Sequence, residues 1–348
     1  MHGGRITPFV MRPAAAAVLV LVPLLWTPTA ADAVAPTCQG QPATVQGSQG
    51  SVQGTAGDDV IVLSGAASAV DAGAGNDLIC LRGTKKILSI YPGAGDDVVD
   101  ASGAGARTWT ELGPGSDTIT GSSFADEVII GEHTEGVADV PGHYVVNTGT
   151  GGDNVTLKEK GAVVEARLGR GNDLFAISTA FAGAGSVLDL GRGRDTFAVQ
   201  DHWEYSNARG TALLVDLDLG TARWRDVDFA LHHAENVSGY AERVEVHGTD
   251  DHNRIFGHGC DVDLRGRGGA DTIYLSSFNA TDIAPALDDC REALRLRAYG
   301  NSGDDFLSGG KYHDVFIGGP GRDKAHGGPG DHDLCDAEIV AGKGCLQS

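Results

Sequence analysis

Positive charge is scarce in this chain: lysine and arginine total 26 against 47 aspartates and glutamates, a formal net charge of −21. A field of that sign repels phosphate backbones and anionic lipid, so nucleic acid is excluded as a partner class and cations are favoured. Helical periodicity is missing except over 286–296, where Asp288-Asp289-Cys290-Arg291-Glu292-Ala293-Leu294 predicts one brief helix. There is no C-x-x-C, so neither a zinc ribbon nor a thioredoxin-like redox site is supported. Nucleophile-elbow, H-E-x-x-H and Walker sequences are absent as well, and no catalytic residue is assigned. Beyond residue 33 no run is apolar enough to cross a bilayer, which takes about 20 residues.

The exception to that last absence is the start of the chain. Arg5 and Arg12 precede an apolar stretch from Ala14 to Trp26 and a small-x-small site at Ala31-Asp32-Ala33. This predicts a signal peptide over 1–33, cleaved after Ala33 or Ala35, and a secreted product. Without those residues the balance is 24 basic to 46 acidic, a net charge of −22. Six cysteines in an exported chain predict three disulfides, and the local contacts of a repeat fold favour sequential pairs: Cys38–Cys80, Cys260–Cys290 and Cys335–Cys345.

What the chain has in abundance is glycine, 52 residues of it, and the glycines recur in register with acids. A glycine-rich turn closes on Asp59, Asp77, Asp97, Asp117, Asp153, Asp173, Asp195, Asp271, Asp305, Asp314 and Asp323. The early steps are 18, 20, 20, 36, 20 and 22 residues, and the last two are 9 each. A coil of about 18–22 residues fits nearly all of it, with 36 read as two coils around a degenerate turn. Short alternating runs enter each turn, such as Val164-Glu165-Ala166-Arg167-Leu168, and an apolar residue follows each acid two places on, from Ile61 and Ile79 to Leu307 and Phe316. Strand, glycine turn, strand, return is one rung of an all-β parallel β-solenoid, and no rung buries a core without its neighbours. The expected layout is one solenoid domain over 34–348, with insertions near 200–246 and 276–296 read as longer rungs.

Calcium takes six to eight oxygens, from carboxylates and backbone carbonyls alike. Glycine lets a turn aim its carbonyls inward, the closing aspartate supplies charge, and strand stacking at about 4.8 Å lets two turns share an ion. Steps of 18–20 place successive turns on one edge, predicting a column of ions along one side; steps of nine alternate edges near the C-terminus. Gly318-Gly319-Pro320-Gly321-Arg322-Asp323 and Gly54-Thr55-Ala56-Gly57-Asp58-Asp59 resemble the RTX (hemolysin-type) repeat G-G-x-G-x-D-x-U-x. Leu168-Gly169-Arg170-Gly171-Asn172-Asp173 and Leu190-Gly191-Arg192-Gly193-Arg194-Asp195 lack only its first glycine. The resemblance implies a parallel β-roll whose sixth-position aspartates and turn carbonyls ligate Ca²⁺. His332 and Asn253 stand where that pattern has an aspartate, and the Sec-like leader and six cysteines depart from type I secreted members.

The resulting expectation is a secreted, calcium-binding repeat protein of structural or surface role, bacterial by composition, with affinities in the extracellular range of about 10⁻⁴ to 10⁻³ M. A solenoid closed by glycine turns with solvated, ion-free aspartates is the plain alternative. A β-helical, polysaccharide lyase-like enzyme is another, through a cleft of Trp203, Trp224 and His233, as is a calcium-rigidified adhesin with a cell-surface or polysaccharide partner. For His232-His233 the ordinary reading is one packed and one solvated ring.

Overall fold

The computed structural model describes residues 35–131, 141–178, 182–200, 210–276, 295–310, 312–329, 332–341 and 345–347. The expected leader, Trp203, Cys290 and most of the 276–296 insertion lie outside them. Among the described residues every regular element is a strand. They wind into a parallel β-solenoid of about 12 turns with a coil spacing of about 20 residues.

Each coil contributes one strand to either of two faces. On the first face the inward positions stack as Ile61, Ile79, Val99, Ile119, Val146, Ala166, Leu188 and Leu231, in parallel register throughout. On the second they run Val70, Ile90, Thr110, Val128, Val155, Phe175, Phe197, Val237, Ile255, Ile273, Leu307 and Ala325. Every one of these side chains is buried. The alternation seen in sequence is therefore the alternation between core and solvent, and strict register follows because a one-residue slip would expose the whole row.

The faces are not equal in length. Val227–His232 pairs antiparallel with Thr221–Trp224, which pairs antiparallel with Ala212–Asp216, and only then does parallel stacking resume with Arg243–His247. On the second face Thr196–Gln200 is followed directly by Asn236–Tyr240 and Arg254–His258. The insertion is thus an antiparallel hairpin wedged into one face, not a set of longer rungs. It adds two strands, about 10 Å of stacking. Large side chains fill the room this creates: Trp224 is the largest fully buried residue, and Phe229 meets Phe197 edge to face at 5.8 Å. Trp224 is core, so it lines no sugar-binding cleft.

Two of the expected disulfides are formed, Cys38–Cys80 and Cys335–Cys345, with Cα separations of 5.6 and 5.5 Å. The first ties the antiparallel ribbon Thr37–Cys38/Gln41–Pro42 over Val62 and Leu78, covering the outside of the first face. Cys260 is disulfide-bonded too, and its expected partner Cys290 lies outside the described residues. The helix expected over 286–296 also falls mostly outside; its last two residues, Arg295 and Leu296, open the strand Arg295–Ser302 instead.

Candidate metal centres

The turns are shaped by glycines that nothing larger could replace. Gly95 has φ 140° and Gly115 has φ 142°, in the left-handed half of conformational space. A methyl group on Gly95 would lie 2.2 Å from the Gly75 carbonyl oxygen, and one on Gly115 would lie 1.9 Å from that of Gly95. Successive turns therefore nest backbone on backbone, with carbonyls aimed along the stack.

The acid that closes each turn points inward. Asp77, Asp97, Asp117, Asp153, Asp173, Asp195, Asp271, Asp305, Asp314 and Asp323 are all buried, at 2% exposure or less. Each carries a ladder bond: the Asp59 N–H donates to Asp77 Oδ1 (2.8 Å), Asp77 N–H to Asp97 Oδ1 (2.8 Å), and Asp97 N–H to Asp117 Oδ1 (2.9 Å). The same bond joins Asp153 to Asp173, Asp173 to Asp195, Asp271 to Asp305 and Asp305 to Asp323, at 2.7 to 2.9 Å. A second ladder runs the opposite way on the outside. The N–H groups of Asn76, Asp96 and Ser116 donate back to the side chains of Asp58, Asn76 and Asp96. Each turn is thereby zipped to both neighbours, which is why polar residues precede the buried acid.

These turns occupy two edges. Asp59, Asp77, Asp97 and Asp117 precede first-face strands, whereas Asp153, Asp173, Asp195, Asp271, Asp305 and Asp323 precede second-face strands. A single column along one side is therefore incorrect. The 36-residue step from Asp117 to Asp153 is one and a half coils with extra chain, and the half coil moves the acids across. The residue that makes the crossing is Asp126, nine after Asp117; it takes the Thr108 N–H and donates its own N–H to Asp153 Oδ1. Near the C-terminus nine-residue steps do alternate edges: Asp314 lies on the first, Asp305 and Asp323 on the second.

Other ladder members escaped notice because they are not glycine–aspartate turns. Asp195 N–H donates to Glu235 Oε2 and Asp323 N–H to Glu338 Oε2. Asp333, buried at 0% exposure, accepts from the Asp314 N–H, so the acid position in the last turn is filled and His332 does not occupy it. One shared signal could have found them: Asp126, Glu235, Asp333 and Glu338 are each followed two places on by Val128, Val237, Cys335 and Val340. Asn253 keeps the ladder with a neutral side chain, donating from Nδ2 to the Glu235 carbonyl.

The ladder satisfies only one carboxylate oxygen. Oδ2 of Asp77, Asp97, Asp117, Asp153, Asp173, Asp195, Asp271, Asp305 and Asp323, and Oδ1 of Asp314, are buried with no hydrogen-bond partner. Burial accordingly pushes these groups up, opposed by the ladder N–H and reinforced by the next carboxylate. Asp77, Asp153, Asp173 and Asp195 reach about 6, Asp271 and Asp314 about 7, and Asp117 about 8. Asp59 is the contrast: burial raises it, but hydrogen bonds from Thr55 and Thr44 outweigh that and hold it below the ordinary value.

An orphaned buried carboxylate oxygen takes either a proton or a cation. At the later turns the residue five before the acid is glycine, and the acid's own carboxylate lies in the space a side chain there would take. A methyl group on Gly266, Gly300, Gly309 or Gly318 would lie 2.0 to 2.3 Å from an oxygen of Asp271, Asp305, Asp314 or Asp323 respectively. Among the described residues no three acidic, histidine or cysteine side chains converge, so a cation here would draw most of its ligands from backbone carbonyls. All-oxygen donors with few charges fit a hard ion such as Ca²⁺ and not a transition metal.

The chain matches the RTX calcium-binding nonapeptide repeat in four copies, within residues 51–80, 246–281 and 299–331. It carries RTX calcium-binding repeats. No curated protein matches it. The ladder of RTX-type turns continues through Asp97 to Asp195, outside the matched segments. There the first glycine of the motif is replaced by buried Pro92, Leu112, Thr148, Leu168 and Leu190.

Proposed function

We propose that this protein is a secreted β-solenoid whose turns are loaded with several Ca²⁺ ions, and that its role is structural or at a cell surface. The expected ligands are the inward acids Asp77, Asp97, Asp117, Asp153, Asp173, Asp195, Asp271, Asp305, Asp314 and Asp323, together with turn carbonyls. Asp59, whose oxygens are already hydrogen-bonded, is the weakest member of the set. The observation that carries the reading is the row of buried carboxylate oxygens without partners. Bound calcium supplies the countercharge that lets those acids stay ionised inside the fold, and binding to the folded state alone stabilises it by mass action. Two disulfides fit an oxidising, extracellular setting. Residues 34–348 form one domain in this reading.

Calcium titration by calorimetry on the mature chain tests it. Several ions per chain are expected, with a lower stoichiometry in Asp314→Ala/Asp323→Ala. No heat of binding, or an unchanged stoichiometry in that variant, would contradict the assignment.

A further inference from the structure

In a chain of net charge −21, arginines without carboxylate partners are conspicuous. Arg167, Arg170 and Arg192, with His233 and Asp189, line a groove of about 740 Å³ on the second edge. Among the described residues none of the three arginines is ion-paired. Asp189, the acid that lines the groove, is engaged by His233 Nδ1 at 2.7 Å, and His233 holds a left-handed backbone with φ 56°. Both His232 and His233 are exposed, so neither is a packed core ring.

The arginine positions are fixed by the turns beneath them. Arg170 N–H donates to the Gly149 carbonyl and its own carbonyl accepts from Gly151; Arg192 does the same with Gly169 and Gly171, at 2.7 to 3.0 Å. Arg170 and Arg192 therefore sit in direct register, one strand spacing of about 4.8 Å apart along the solenoid. The floor between them is Gly149, Gly169 and Gly191, which puts no side chain in the way of a ligand lying along the axis.

We infer that this groove binds a linear acidic polysaccharide through its carboxylates. Guanidinium forks pair with carboxylate in bidentate fashion, and two of them one rung apart, with Arg167 beside them, offer several forks to a chain that carries repeated carboxylates. A duplex or a bilayer needs a broad basic face, and the chain as a whole carries a net charge of −21. The inference rests on the calcium reading only in that Asp173 and Asp195 close the same two turns, so loading them fixes the arginine spacing.

The test uses the mature chain, saturating calcium, and hexagalacturonate against its neutral methyl ester. Wild type is expected to bind the acid and not the ester. Arg170→Gln/Arg192→Gln is expected to weaken binding at least tenfold, with circular dichroism and calcium stoichiometry unchanged, while Arg223→Gln on the hairpin leaves it unaltered. No binding of the acid, equal binding of the ester, undiminished binding by the double variant, or capture by phosphatidylglycerol vesicles in place of the glycan would each overturn it. Calcium stoichiometry read on the same samples separates failure of this inference from failure of the calcium assignment.

Discussion

The turns at Asp271, Asp305, Asp314 and Asp323 and those from Asp77 to Asp195 share one kind of ladder bond and differ at one position. The later turns have a glycine five residues before the acid, and the space its missing side chain leaves lies against the acid's own oxygen. In the earlier turns that position belongs to the core, as Ala72, Leu112, Leu168 and Leu190. The ladder bond needs only an inward acid and a neighbouring N–H, so it persists through both regions. The glycine lets the acid's oxygen lie directly against the turn backbone, close to the next turn's carbonyl at Gly266 and Gly300. The later region is accordingly expected to bind calcium more tightly and to fill first.

Withdrawing calcium should have the largest effect. A site held at a hundred times its Kd contributes about 2.7 kcal/mol, and several such sites together exceed the net stability of an ordinary domain. Chelation is expected to lower the melting temperature and to open the later region first, read as loss of amide protection beginning at Leu307 and Phe316. Simultaneous loss of protection at Ile79 and Leu307 would erase the distinction between regions.

Next in size is the core side of the earlier turns. Leu168→Ala is expected to cost about 2–5 kcal/mol with or without calcium, because Leu168 is packed and fully buried. Gly318→Ala is expected to act through the acid, since its methyl group would lie 2.3 Å from Asp323 Oδ2 and 2.6 Å from its Cβ. Displacing that side chain should remove one ion from the stoichiometry and leave a loss of stability in chelator too. Unchanged stoichiometry in Gly318→Ala would assign that glycine to packing alone.

Asp173 separates ladder from ion. Asp173→Ala orphans the buried Asp153 N–H and is expected to cost about 1–3 kcal/mol in chelator. Asp173→Asn retains the acceptor and removes the charge, so it should melt higher than wild type in chelator yet bind less calcium. Urea titrations of both variants, with and without calcium, check this.

pH acts on the same acids without any substitution. The inward acids have folded pKa values raised above 3.8, to about 6, 7 and 8 at Asp173, Asp271 and Asp117. The folded chain without calcium then binds more protons than the unfolded one across that window. Its extra stability is complete below about pH 4 and is lost as pH rises through 6 to 8. Melting temperature in chelator should fall from pH 5 to pH 8, and calcium should flatten or reverse that slope because the metal competes with the proton. A chelated protein that gains stability over the same range would contradict the raised values.

Much of this was legible in the chain because a solenoid repeats its local rules. Ile61, Phe175 and Leu307 announced themselves as core by their place two residues after an acid, and all three are buried. The nine-residue steps at 305, 314 and 323 showed that turns alternate between edges there. The earlier crossing was hidden because Asp126 closes a turn with one glycine, and a spacing rule blind to sidedness read a half coil and one lengthened coil as two whole coils. Glu235 and Glu338 were hidden because a longer acid reaches the same ladder from outside the motif. The wedge at 212–232 could not be foreseen from alternation, which is the same for parallel and antiparallel neighbours. The orphaned oxygens are a property of stacking, and no single turn contains them.

The most direct measurement is anomalous diffraction from crystals of the mature protein grown with calcium. The account expects calcium peaks between successive turns on both edges, strongest beside Asp305, Asp314 and Asp323 and next to the partnerless carboxylate oxygens. Ordered density at those oxygens that is water alone, with no anomalous signal at either edge, would contradict it.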